Sequence, residues 1–261
     1  FPTGNKTLLS VNYYDTYPVD TPYPENNKIQ GTPILEDIFP AGVTQSTKSL
    51  PTASFVKNIE DDNWTKNYSF YDRKGRAIGG HSINHLGGDT RTESILDFTG
   101  VPKKVFTYHS RQSSRTPTVT IEETFTYDHH NRLLKHEHQV NNQLPEILAE
   151  NTYNEIGQLK TKKVGNNIQE IDYAYNIRGW MTAMNNPANV ITMGNDLFAF
   201  TLRYTDKIGL ETPDVLNNPT LKVKGRYNGN IAEIDWNSVD EAGVPPSNSP
   251  YRYGYVYDGL N

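Results

Sequence analysis

The chain has 261 residues, a formal net charge of −5 and no cysteine, which excludes a disulfide framework and any thiolate metal centre. Its 25 Lys and Arg residues are scattered among 30 Asp and Glu, the opposite of a nucleic-acid footprint, and no window approaches 18 consecutive apolar residues, so no helix of this chain crosses a membrane. Only 35% of residues are apolar, and 17 Tyr, 9 Phe and 3 Trp supply much of that share. Burial must therefore come from rings, which favour strands, and a mean hydropathy of −0.70 with 19 Gly and 16 Pro predicts a turn-rich, thin-walled sheet.

Phe1-Pro2-Thr3-Gly4-Asn5 has neither an initiator Met nor a signal pattern and reads as the start of a mature or excised piece. Residues 1–65 are irregular, with Pro18, Pro22, Pro24, Pro33, Pro40 and Pro51 separating strand candidates at Leu8–Tyr14 and Ala53–Ile59. Proline cannot donate to a ladder, so this region carries long loops at the start of the sheet. From residue 66 to 261 one motif recurs: an aromatic residue, then Asp or Asn, then a turn containing Gly or Asn. Its copies are Tyr71-Asp72 with Gly75, Tyr127-Asp128 with Asn131, Tyr153-Asn154 with Gly157, Tyr175-Asn176 with Gly179, and a terminal Tyr257-Asp258. A weaker relative lies at Leu96-Asp97-Phe98-Thr99-Gly100.

Each copy reads as a strand, a tight turn and a return strand. The Asx side chain can bond the backbone two residues on, and Gly or Asn three residues later supplies a positive φ. Onsets at Tyr71, Phe98, Tyr127, Tyr153 and Tyr175 lie roughly 22 to 29 residues apart, enough for two strands with their turns, so each repeat is about one hairpin. A lone hairpin is marginal in water, which requires successive units to pair edge to edge. Around the turns the period is two: Val119, Ile121, Phe125 and Tyr127 share one face and Thr118, Thr120, Glu122, Thr124 and Thr126 the other, so one face is expected buried and one wet. The same period runs through Ile171, Tyr173 and Tyr175, through Phe198 to Tyr204, and through Tyr251 to Tyr257. Asn217-Asn218-Pro219 and the stretch from Gly243 to Pro250 read as exposed loops, and no domain linker stands out.

With these turns, and with Tyr175-Asn176-Ile177-Arg178-Gly179-Trp180, Asn228-Gly229-Asn230-Ile231 and Leu8 to Asp15, the chain resembles bacterial Rhs or YD-repeat proteins, in the style of the large Rhs proteins of Bacteroidetes. The resemblance implies an all-β strip of antiparallel hairpins that spirals into a hollow shell. In Rhs and toxin-complex proteins such a shell encloses a toxic domain, and in the related teneurins it serves adhesion. It further implies partners in other segments of the same large polypeptide, a toxin domain as cargo, secretion or display on the bacterial surface, and no cofactor. Asn154 and Asn176 replace the aspartate and keep its turn role. The family's core motif, self-cleavage aspartates and variable toxin have no counterpart here, so those functions do not carry over.

His136 and His138, at i and i+2 on one strand face, could ligate zinc with Glu123 or His109 as a third ligand, but nothing in the spacing demands that ligand, and solvated strand histidines with no bound metal are the expectation. Glu122 and Glu123 are adjacent on a strand and point to opposite faces, so they cannot flank one substrate, and Glu60-Asp61-Asp62 reads as a solvated loop. No nucleophile elbow, phosphate loop or zinc-protease motif occurs, and the expectation is a non-enzymatic scaffold. The alternative is a secreted or cell-surface binding module in which Tyr13, Tyr14, Tyr17 and Tyr23 stack on a glycan or a protein partner.

Overall fold

The computed structural model describes residues 7–36, 46–112, 117–188, 196–208, 212, 215–240 and 249–259. Phe1 to Lys6, Pro40, the Gly243 to Pro246 stretch, Leu260 and Asn261 lie outside them. The fold is all-β, as expected, and its long strands are antiparallel. Two compact units divide at Glu146/Ile147. Residue 65, where the irregular region was expected to end, lies inside a strand.

The first unit holds β1 (Ser10–Tyr14), the short pair β2 (Lys28–Ile29) and β3 (Thr32–Pro33), then β4 (Pro51–Lys57), β5 (Trp64–Tyr71), β6 (Ala77–Ile83), β7 (Asp89–Leu96), β8 (Pro102–Ser110), β9 (Val119–Tyr127) and β10 (Leu133–Val140). Its main sheet runs β1-β4-β5-β6-β7-β8-β9-β10, each strand beside its sequence neighbour, while β2 and β3 pair with each other. The second unit runs β11 (Glu146–Tyr153), β12 (Leu159–Val164), β13 (Gln169–Tyr175), β14 (Met181–Met184), β15 (Phe198–Arg203), β16 (Glu233–Ser238) and β17 (Tyr251–Gly254), again in chain order.

Burial is uneven, and one expectation is corrected by it. Along β9 and β10 side chains on both faces are half-buried, and Val119, assigned to the buried face, is 38% exposed. The physical reason is that a sheet without a second layer shields its side chains only by their neighbours on the same face. The expected alternation does survive on β13, where Ile171, Tyr173 and Tyr175 are half-buried and Asp172 and Ala174 exposed.

A covered core forms where a long excursion returns across the sheet. In the first unit, Tyr17, Ile29 and Ile34 of the Pro-rich stretch between β1 and β4 pack with Ala53, Tyr68, Phe70 and Ile78 of β4 to β6. The three side chains of the excursion, at about 1.5–3 kcal/mol each, hold it down. In the second unit, Val223 and Ala232, in the 204–232 excursion between β15 and β16, are buried together with Ala199 of β15. The buried face of β16 is polar: Glu233, Asp235 and Asn237 are all buried while Ile234 and Trp236 between them are half-open. Burying carboxylates requires partners. Arg252 holds Asp235 through Nε and Nη2 at 2.5 and 2.7 Å, and Arg203 Nη2 reaches the same carboxylate at 2.7 Å. Burial alone pushes the Asp235 carboxyl up, but the two guanidinium groups outweigh it and hold it below the usual range.

Candidate functional site

The residues singled out in the sequence fall mainly on one structural feature, a row of identical turns. At Asp72 the main-chain N–H donates to the Arg76 carbonyl (2.9 Å) and Gly75 N–H donates to the Asp72 carbonyl (2.9 Å). The Asp72 Oδ1 then accepts from the N–H of Lys74 and of Arg76, at 2.9 and 3.0 Å. Gly75 has φ of 75°. This is a type I turn closed by a left-handed residue, which puts a bulge into the returning strand, and pairing does shift at Phe70/Tyr71.

The same pattern repeats at Asp128, Asn154 and Asn176, whose Oδ1 atoms accept from His130 and Arg132, from Ile156 and Gln158, and from Arg178 and Trp180. The left-handed position is Asn131 (φ 59°), Gly157 (87°) and Gly179 (79°). At Asp97 it is Gly100, and the turn begins one residue before the Phe98 onset, with Leu96 standing where the tyrosine stands elsewhere. Asn84 forms a further copy with Gly87 but follows Ile83, so it lacks the aromatic residue that marks the repeat in the sequence.

A seventh copy is interrupted. Asp15 N–H donates to the Leu50 carbonyl (3.2 Å), Asp15 Oδ1 accepts from Ser49 N–H (2.5 Å), and Ser49 carries φ of 68°. Tyr14-Asp15 and Ser49-Leu50 are thus the two halves of one turn, with the core-forming Pro-rich excursion inserted between them. The signal in the sequence was the Tyr14-Asp15 pair, whose partner half stands more than thirty residues away.

Within each unit successive turns touch. The residue four after the Asx lies against the glycine of the next turn, so that a Cβ on Gly100 would stand 3.5 Å from Arg76 Cδ, one on Gly179 3.3 Å from Gln158 Nε2, and one on Gly75 4.0 Å from Leu50 Cδ1. Arg76 Nη1 also donates to the Asp97 carbonyl at 2.9 Å, and Gln158 Nε2 to the Gly179 carbonyl at 3.3 Å. After Asp97 the fourth residue is the short Val101, and Lys103 Nζ sits 5.6 Å over the Tyr127 ring. A Cβ on Gly229 would stand 3.5 Å from the Trp180 ring, and Arg178 Nη1 donates to the Tyr227 carbonyl at 3.1 Å. Tyrosines reach the other way: the Tyr71 hydroxyl donates to the Pro51 carbonyl (2.6 Å), Tyr204 to Met181 (2.7 Å) and Tyr257 to Ile231 (2.8 Å).

The open ends of three hairpins carry a clasp that the sequence reading did not identify. Asn141, Asn166 and Asn185 all adopt positive φ. Each donates its main-chain N–H to a carbonyl and accepts that same residue's N–H on Oδ1, the partners being Thr120, Ile147 and Asp172.

The other candidates disperse. His136 Nε2 pairs with Glu123 Oε1 at 3.0 Å and His138 Nε2 with Glu146 Oε2 at 3.1 Å, so each imidazole has its own carboxylate. Glu122 pairs with Lys104 across the opposite face, as the alternation requires. Tyr17 is 7% exposed, with its ring stacked 5.6 Å from Phe70 and its hydroxyl donating to the Ser69 carbonyl, so packing occupies it fully. Tyr13 leans on Phe55, 5.1 Å between centroids. Tyr14 and Tyr23 remain exposed, and Tyr23 borders a cleft of about 100 Å³ with Phe70, His81, Arg91 and Glu93. That volume holds about three waters, well short of a sugar or drug-sized ligand. The Asp258 turn cannot be traced past Gly259, because its last residues lie outside the described set.

No family model matches this chain, and no curated protein matches it. Among solved structures it is similar to a chain in the crystal structure of TcdB2-TccC3-Cdc42, with 10% identity over 80% of this chain and 16% of that chain and a TM-score of 0.21. No helix among the described residues is long and apolar enough to cross a membrane.

Proposed function

We propose that this chain is a non-enzymatic wall segment of a large Rhs/YD-repeat protein, which encloses or presents a polypeptide cargo such as a toxin domain outside the bacterial cytoplasm. The observation that carries the reading is the row of turns, in which Arg76 in the first unit and Gln158 in the second each bond the neighbouring turn. Such fastenings serve a continuous surface and have no use in a reaction centre. Side chains half-buried on both faces of β9 and β10 fit a thin partition, and convergent polar groups in a roomy pocket are not what the row of turns builds. In this reading β1 and β17, each with one strand neighbour among the described residues, pair with further segments of the same polypeptide, because an unpaired edge templates association.

The test is the solution behaviour of the chain, by light scattering on a sizing column and by small-angle scattering over a concentration series. A wall segment gives concentration-dependent association into extended particles. A monodisperse, closed and compact particle at every concentration contradicts it.

A further inference from the structure

The two faces of the second unit have opposite character, and the wrong one is covered. Strand register places Glu150, Glu170, Asp172, Glu233 and Asp235 on one face, together with Lys163, Arg203 and Arg252 opposite them. That is the face on which Ala199, Glu233, Asp235 and Asn237 are fully or nearly fully buried. The other face carries Phe200, Trp236 and Tyr251 in direct register across β15 to β17, with Phe198 and Tyr253 flanking them. It remains open, with Phe198 40%, Tyr251 42% and Tyr253 56% exposed. A contiguous exposed aromatic patch marks an interaction surface. The charged strand residues on that open face are Lys160 and Lys162 of β12, with no carboxylate beside them.

Ring geometry and charge together select the occupant. Trp236 stands 4.8 Å from Tyr251 and 6.5 Å from Tyr253, with interplanar angles of 26° and 9°, and Phe198 lies 6.2 Å away on its other side. Trp236 and Tyr251 are stacked, so part of each ring face is taken up by its neighbour, and the patch offers apolar surface to inserted aliphatic side chains. Two lysines on a chain of net charge −5 are too few for a phosphate backbone. Strands spaced about 4.8 Å apart put β12 about 14 Å from β15, the length of roughly four extended residues.

We propose that the open face of the second unit docks an extended polypeptide segment, with apolar side chains over Phe198, Trp236, Tyr251 and Tyr253 and carboxylates over Lys160 and Lys162. This deepens the wall reading by giving the chemistry of what meets the wall, and rests on that reading only for the partner's being a polypeptide of the same assembly.

The experiment titrates the intact chain with a capped peptide of four leucines followed by four aspartates, read through the Trp236 indole resonance with that of Trp64 as internal reference. Controls are the same peptide with lysines for aspartates, an oligothymidylate and a chitohexaose. The expected result is a Trp236 shift with the acidic peptide at least tenfold tighter than with the basic one. Lys160→Glu combined with Lys162→Glu should reverse that preference, and Tyr253→Ala should weaken both peptides. Equal binding of the two peptides, or none, overturns the proposal, and tighter binding of the oligonucleotide or the sugar replaces the partner class. Failure here with concentration-dependent association intact removes the docking face and leaves the wall segment standing.

Discussion

The guanidinium of Arg76 donates to the main-chain carbonyl of Asp97, 2.9 Å away, while its Nε holds the carboxylate of Asp72 at 2.7 Å. One side chain thereby braces its own turn and grips the next. Arg132 braces Asp128 in the same way, at 2.6 Å, and Gln158 does so for Asn154 with an amide pair of 3.0 Å. The repeat is therefore defined by a bonding pattern that charge-bearing and neutral residues satisfy alike.

Replacing Asp72 with Ala removes the acceptor of two main-chain N–H groups and of Arg76 from a buried position. We expect a loss of about 2 kcal/mol, within the range for buried hydrogen bonds to a charged group. Asp72→Asn should lose less, because Asn154 and Asn176 already fill that role. Urea denaturation of the three proteins measures both.

The left-handed position predicts a pair of opposite outcomes. Gly75→Ala forces a Cβ into a φ of 75° and should cost about 1–2 kcal/mol. Gly75→Asn should cost a few tenths of that penalty, as Asn131 occupies the same place in its own turn. Thermal melts of the two variants separate a conformational cost from a packing cost, since the neighbouring Leu50 side chain leaves room for a methyl.

Acid should loosen the row of turns in a defined window. Burial raises the Asp128 carboxyl, but the Arg132 and His130 main-chain N–H groups and the Arg132 guanidinium outweigh it and lower it to about 2. Asp72, Asp97 and Asp235 are lowered too. A carboxyl depressed in the folded state contributes stability that is present above about pH 4, the unfolded value, and is lost as pH falls toward the folded one. Urea midpoints should therefore drop between about pH 4 and pH 2, and Asp128→Asn should flatten that drop. An equally steep fall in the variant would show that Asp128 has no part in it.

Tyr17 and Tyr14 test the difference between packing and display. Tyr17→Ala opens a cavity against Phe70 and should cost about 3–5 kcal/mol by the usual toll of deleting a buried aromatic ring. Tyr14, 57% exposed, should change stability by less than about 0.5 kcal/mol. Chemical denaturation of both variants settles which tyrosines the excursion depends on.

These variants also indicate what a reader of the sequence alone can reach. The Asx turns at Asp72, Asp128, Asn154 and Asn176 were legible because all their determinants lie within five consecutive residues. The interrupted turn at Asp15 was not, because its halves are joined only through space. The clasps at Asn141, Asn166 and Asn185 were hidden for a related reason: an asparagine in a polar loop looks like any other until its partner strand is known. Burial was misjudged at Val119, since a period of two states which residues share a face but not whether anything covers it. At Glu233, Asp235 and Asn237 the covered face is the polar one, an inversion set by the 204–232 excursion and by Arg203 and Arg252, which hold Asp235 and which hydropathy cannot foresee.

Turn-to-turn bracing holds the hairpins together, and amide hydrogen exchange across an Arg76→Ala substitution tests it most directly. Removing the guanidinium should raise exchange at the Gly100 and Val101 amides of the next turn about tenfold, corresponding to about 1.4 kcal/mol of lost bracing, while the Asn84 turn at the other end of β6 keeps its protection. Unchanged exchange at Gly100 and Val101 in a folded Arg76→Ala protein would mean that each hairpin stands alone and that the row of turns fastens nothing.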